Sequence, residues 1–157
     1  MTAPDLDEID QTILYALQED ARHNTNAAIS ERVGVSASTV GKRIRRLEDR
    51  GVILGYRPEI DYERAGFPLR LLFICTATIS EREALIERTL DLDGVVNVRE
   101  LMTGERNVHV QVTGTTNDDI TRIARTIDEM GYVITDEILM REEYTQPSVR
   151  FRPSANR

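Results

Sequence analysis

Between Val35 and Gly51 the chain reads VSASTVGKRIRRLEDRG, and this stretch gathers the residue types that bind a polyanion. Lys42, Arg43, Arg45 and Arg46 place four cations within five positions. Ahead of them, Ser38 and Thr39 can donate to or accept from base edges, and Ala37 can touch a thymine methyl. Ser36 is of the type that caps a helix, its hydroxyl accepting from an amide of the first turn. Val40, Ile44 and Leu47 recur at spacings of four and three, which makes them one apolar stripe on a helix. The chemistry this supports is a helix entering a DNA major groove. Its start would read bases, Lys42 would reach a base or a phosphate, and Arg43, Arg45 and Arg46 would hold the backbone and fix register.

The charge distribution sharpens this. The 157 residues carry a formal net charge of −7, which taken alone argues against nucleic acid. Residues 1–35 hold seven acids and two cations, residues 36–57 six cations and two acids, and residues 58–157 eighteen acids and twelve cations. One basic island in an acidic chain is an electrostatic footprint. The bland alternative is a basic helix face that is merely solvated. Lys42 is the only lysine beside nineteen arginines. With the acid excess, that suits a protein of a salt-loving organism, in which phosphate contacts weaken steeply with salt, though a GC-rich genome also favours arginine.

Such a helix has to be positioned. Residues 5–20 read as a first helix, with Leu6, Ile9, Ile13, Leu14 and Leu17 on one face. A second runs from about Asn26 to Val33, capped by Thr25 or Asn26 and ended by Gly34. Helix, glycine turn, helix is the helix-turn-helix pattern. Gly41 breaks the rule against glycine in a helix interior and implies a close approach, to DNA or to the second helix. After Gly51, residues 52–58 read as a short strand and turn, a candidate wing, with Arg57 within reach of a phosphate and Tyr56 packing on the helix.

Residues 59–68 have no period and form a linker. From Leu69 the pattern becomes strand, helix, strand, strand, helix, strand. Leu69–Ile79 is a long β run, apolar on both faces. Ser80 and Glu83 form a capping box for the helix that follows. Val95–Thr103 and Arg106–Thr113 are strands joined tightly at Gly104–Glu105, Asn117 caps a second helix, and Tyr132–Tyr144 is a final β run. The fold class is α+β, a winged helix-turn-helix at residues 1–58 and a ferredoxin-like βαββαβ domain at 69–144, with a tail at 145–157. The sheet face not covered by helices predicts burial by a second copy of the chain.

Other chemistries find little support. His23 and His109 stand apart, without an acid at catalytic spacing or clustered metal ligands, so no catalytic residue, cofactor or metal is expected. Cys75 lies in an apolar run and reads as a buried thiol. No apolar run approaches the length of a membrane helix, and the acidic start lacks the apolar core of a signal peptide, so a soluble, cytoplasmic protein is expected.

With these residues in view, the chain resembles the Lrp/AsnC, or feast/famine, transcription regulators. LDEIDQTILYALQEDAR resembles the family's first helix, VGVSASTVGKRIRRLEDRGVILGY its turn, recognition helix and wing, and residues 69–144 its effector and assembly domain. The resemblance implies a homodimer, or an octameric ring of dimers, binding double-stranded DNA through Ser36, Ala37, Ser38, Thr39, Lys42, Arg43, Arg45, Arg46 and Arg57. It also implies an amino acid or other small-molecule effector near Thr103, Gly104, Glu105, Arg106 and Asn107. The family pattern in that loop is Gly-x-x-Asp, and Asn107 stands where it has Asp. Two other readings share parts of this architecture: an enzyme resembling siroheme decarboxylases, and a low-specificity architectural DNA-binding protein.

Overall fold

In the computed structural model the described residues are 5–153; the first four residues and the last four of the tail lie outside them. The chain divides into two units, Met1–Pro58 with Tyr144–Arg157, and Glu59–Glu143.

The first unit is built on three helices. α1 (Glu8–Asp20) starts at Asp7, whose carboxylate accepts from the Asp10 amide. α2 (Asn26–Val33) is capped by Thr25 and ends at Gly34, with φ of +72°, a left-handed geometry that glycine adopts without the penalty of a Cβ. α3 (Ala37–Asp49) is capped by the Ser36 hydroxyl, which accepts from the Thr39 amide at 3.2 Å. Ile13, Leu14 and Ala16 of α1, Ile29 of α2, and Val40 and Leu47 of α3 close one core. Each fully buried Ile or Leu contributes about 1.5–3 kcal/mol of burial.

One expectation for this unit changes. Residues 52–58 form no strand. The amides of Val52 and Ile53 both donate to the Leu47 carbonyl, so they finish the helix end instead of entering a ladder, while their side chains pack on the core. The described part of the tail packs on this unit. A 3-10 turn at Val149–Phe151 lays Phe151 against the same core, and the Ser148 amide donates to Gln18 Oε1 at 3.1 Å.

The second unit is a four-stranded antiparallel sheet of β1 (Leu69–Thr76), β2 (Val95–Glu100), β3 (Val108–Gly114) and β4 (Val133–Leu139), in the order β2-β3-β1-β4. Two helices, α4 (Arg82–Leu90) and α5 (Asn117–Glu129), complete the ferredoxin-like βαββαβ fold. Alternate residues Phe73, Cys75, Val108, Val110 and Val112 join Leu85, Ile120, Ile123 and Ile127 in the core. The capping box at Ser80 and Glu83 does not form; the Thr78 hydroxyl instead donates to the Glu81 carboxylate and α4 begins at Arg82. Thr116, not Asn117, caps α5. β1 stops at Thr76 and β4 at Leu139, short of the β runs read from the sequence.

The opposite sheet face is mixed. Leu72 and Ile74 of β1 lie beside Ile138 of β4. Asn97, Arg99, His109, Gln111 and Thr113 make the β2–β3 half polar. Arg70 and Arg99 both reach Glu143, at 2.9 and 3.7 Å.

Candidate nucleic-acid interface

A helix of 3.6 residues per turn sorts the polar residues of α3 into two groups. Val40 and Leu47 face the core and are fully buried. Ser38, Lys42 and Arg45, spaced four and three, lie on the opposite face and are exposed. Neither Lys42 nor Arg45 makes an ion pair among the described residues, and the same holds for the exposed Arg57. At the start of the helix, Ser36 Oγ lies 3.0 Å from Ser38 Oγ and 2.9 Å from Thr39 Oγ1, an exposed cluster of hydroxyls next to unpaired first-turn amides.

Arg43 and Arg46 lie on the flank and behave differently. Arg43 Nη1 donates to Asp7 Oδ2 at 2.6 Å and to Asp10 Oδ1 at 2.9 Å, and Arg46 Nη2 donates to Asp10 Oδ2 at 2.6 Å. The Asp10 side chain is fully buried. Its two oxygens are thus paired with two guanidinium groups, a bridge that fixes α3 against α1. The hydrogen bond from Arg43 holds the Asp7 carboxyl below the usual carboxylate range. Sequence reasoning assigned both arginines to phosphate and overlooked Asp10. The signal was available, because Asp10 lies within the stripe of Leu6, Ile13, Leu14 and Leu17, and an acid there calls for a buried cation.

Gly41 is explained by the helix crossing. A Cβ at this position would sit 2.9 Å from Asn26 Nδ2, so the glycine makes room for the Asn26 side chain at the start of α2. Tyr56 donates its hydroxyl to Glu48 Oε1 at 2.8 Å, tying the segment after the helix back onto it. Burial, with Glu48 beside it, pushes the phenol up to about 12.

The loop at 103–107 in the second unit is organised from within. Asn107 is fully buried. Its Oδ1 accepts from the Ala77 amide at 2.9 Å, and its Nδ2 donates to the carbonyls of Ala77 and Gly104 at 3.1 and 3.2 Å. The Thr103 hydroxyl donates to the Glu105 carbonyl. Arg106 has φ of +53°, unusual for a residue with a side chain, held there by its amide donating to Thr76 Oγ1 at 2.8 Å. Thr103, Gly104, Glu105 and Arg106 are exposed.

His23 corrects a further expectation: Nδ1 lies 2.7 Å from Asp20 Oδ2, so this histidine does have an acidic partner. The pair is exposed at the end of α1 and holds the Asp20 carboxyl below its ordinary range. Among the described residues no group of three acidic, His or Cys side chains could hold a metal ion, and no helix is long and apolar enough to cross a membrane.

The family model described as winged helix-turn-helix DNA-binding matches residues 6–53. The HTH-type transcriptional regulator LrpA1 of Halobacterium salinarum is 33% identical over 133 residues, 83% of each chain. An uncharacterised HTH-type transcriptional regulator of Pyrococcus furiosus is 30% identical over 152 residues, 95% of this chain and 99% of that one. The chain belongs to the Lrp/AsnC family. Other matches are partial: the chain covers 40% of the length of AldR of Mycolicibacterium smegmatis, at 46% identity over 70 residues. Among solved structures, the feast or famine regulatory protein of M. tuberculosis complexed with L-methionine superposes with a TM-score of 0.77 at 25% identity, over 90% of this chain and 95% of that one. Membership places this Lrp/AsnC chain among transcriptional regulators and not enzymes, and nothing supports the siroheme-decarboxylase alternative. Asn107 Nδ2 faces two carbonyl oxygens, which would repel a carboxylate at this position.

Proposed function

We propose that this Lrp/AsnC regulator acts in the cytoplasm as a homodimer that reads two DNA half-sites with paired copies of α3. One observation carries the reading: the stripe of Ser38, Lys42 and Arg45 is exposed on the side of α3 opposite its buried stripe. Ala37, Ser38 and Thr39 contact bases, and Lys42, Arg45 and Arg57 contact phosphate. Arg43 and Arg46 act through the helix, by holding its orientation. The second copy covers the sheet face of Leu72, Ile74 and Ile138, where Ile138 is 46% exposed. Selection of a duplex from a random-sequence pool by the full chain, followed by competition with unselected DNA, tests the proposal. A regulator prefers the selected duplex by about a thousandfold or more, in line with the roughly 10³–10⁷ that separates specific from non-specific binding. Equal affinity would establish the architectural reading instead.

The effector part of the proposal concerns the loop at 103–107. L-Methionine is bound by the M. tuberculosis relative. In this chain an amino-acid-like effector would be met by the exposed Thr103, Glu105 and Arg106, with Asn107 as the buried clip beneath them. Thermal denaturation with each of the twenty amino acids checks this. A ligand at 100 times its Kd adds about 2.7 kcal/mol of stability, and no shift with any of them would remove amino acids as effectors.

A further inference from the structure

The flank of α3 borders the face assigned to DNA, and it is electrically neutral. Arg43 lies four residues after Thr39 and Arg46 four after Lys42, so each arginine is one helical turn from a residue of the reading face. Cations so placed are of the kind that hold phosphates beside a groove. Here α1 answers both with carboxylates. Asp10 accepts from each arginine, and Asp7 Oδ2 accepts a further bond from Arg43 at 2.6 Å. Two aspartates thus cancel two arginines, while Lys42 and Arg45 next to them make no ion pair among the described residues.

The two aspartates are not equivalent. Asp10 is fully buried and fixes the helix. Asp7 is half exposed, and its part in the fold falls to its other oxygen: Oδ1 accepts from the Asp10 amide at 2.8 Å and caps α1. That cap needs an oxygen but no charge, and asparagine supplies it equally well. Arg43 meets both acids with a single nitrogen, Nη1, and its Nη2 and Nε make no hydrogen bond among the described residues. Arg43 can therefore keep Asp10 and still donate to a phosphate. What opposes this is the second negative charge beside the guanidinium, that of Asp7.

We propose that Asp7 cancels Arg43 at the edge of the DNA interface and so holds down the affinity of this regulator for DNA of any sequence, a role that rests on the reading above in which α3 meets DNA. Sequence-independent binding is supplied by phosphate neutralisation. A regulator has to leave the many competing sites of a genome to occupy its own, so each phosphate contact that carries no sequence information works against it. Asp7 is then a residue that touches no DNA and limits how long random DNA retains the protein.

The test titrates the full chain with a random-sequence duplex over a range of salt. Asp7→Asn keeps the capping oxygen and removes the charge. Glu8→Gln is the control: it removes the same charge from the next residue, which is exposed and makes no ion pair among the described residues. Expected for Asp7→Asn is a slope of log K against log salt steeper by up to about 1.8, a contact of about 0.9 from each copy of the dimer. Its gain over the natural chain is then about tenfold larger near 50 mM than near 200 mM salt. Glu8→Gln gains less than about threefold over the same range, as a screened charge does. In an Arg43→Gln background, Asp7→Asn gains no more than Glu8→Gln. If Arg43→Gln does not fold, which circular dichroism reports, the comparison of Asp7→Asn with Glu8→Gln decides. An Asp7→Asn titration that matches the natural chain, or that Glu8→Gln reproduces, would overturn the proposal. Lys42→Ala separates the two levels: a slope it lowers keeps α3 at the DNA whatever Asp7 does, and a slope it leaves unchanged would overturn the reading beneath.

Discussion

α3 and the loop at 103–107 were both marked by polar residues at suggestive positions, yet the fold uses them in opposite ways. In α3 the polar groups divide by angle around the helix. Lys42 and Arg45 point away from the core and stay unpaired among the described residues, while Arg43 and Arg46 turn to α1 and meet Asp10. In the loop, one of the five residues expected near a ligand is withdrawn from solvent: Asn107 directs both ends of its amide at backbone. A regular helix displays what its periodicity says it displays. A loop first has to satisfy its own buried backbone groups, and the best-placed amide is used for that.

The strongest test of this contrast removes Asp10. Asp10→Ala leaves two partly shielded guanidinium groups without their carboxylate, and breaking such a pair costs about 3 kcal/mol. Urea denaturation should show this loss in the DNA-binding unit, and a change under about 1 kcal/mol, the scale of an exposed pair, would mean that Arg43 and Arg46 do not hold the helix. Next comes Asn107→Asp, which puts a carboxylate where the structure has an amide. A carboxylate facing the Ala77 and Gly104 carbonyls costs about 2 kcal/mol at neutral pH. Its pKa in the folded state rises above the unfolded value near 3.9, so the loss should shrink as pH falls through that raised pKa. Equal stability of the two forms across pH would show that the loop does not need a donor there. The smallest expected effect is at Asp7, where Arg43 lowers the folded pKa. The stabilisation is present above the unfolded Asp value and lost as pH falls through the folded one. Asp7→Asn should lower stability slightly at neutral pH, where the carboxylate contributes, and match the natural chain once the pH has fallen through the folded pKa; the effect is small because the carboxylate is 53% exposed.

How much of this could be read from the sequence follows the same line. The three helices, the Ser36 cap, the Gly34 turn and the βαββαβ order follow from local period and turn chemistry, and the structure agrees. What escaped depended on partners distant in sequence. Asp10 meets Arg43 across thirty-three positions, Asn107 meets Ala77 across thirty, and Ser148 meets Gln18 across one hundred and thirty. The segment after α3 reads as a strand because Val52-Ile53-Leu54 is β-prone. It is coil because two of its amides already close the helix. At Ser80 no capping box forms: Thr78 donates to Glu81 and α4 begins at Arg82.

The central claim is that α3 meets DNA with Lys42 and Arg45 while Arg43 serves the fold. Binding of the selected duplex should be measured over a range of salt for the natural chain, Lys42→Ala, Arg45→Ala and Arg43→Ala. Each cation that neutralises a phosphate contributes about 0.9 to the slope of log K against log salt, so a substitution carried by both copies of the dimer lowers it by about 1.8. The account predicts that drop for Lys42→Ala and Arg45→Ala, with a smaller change for Arg43→Ala, whose main effect is on stability. Slopes unchanged in the first two, or a full drop only in the third, would contradict it.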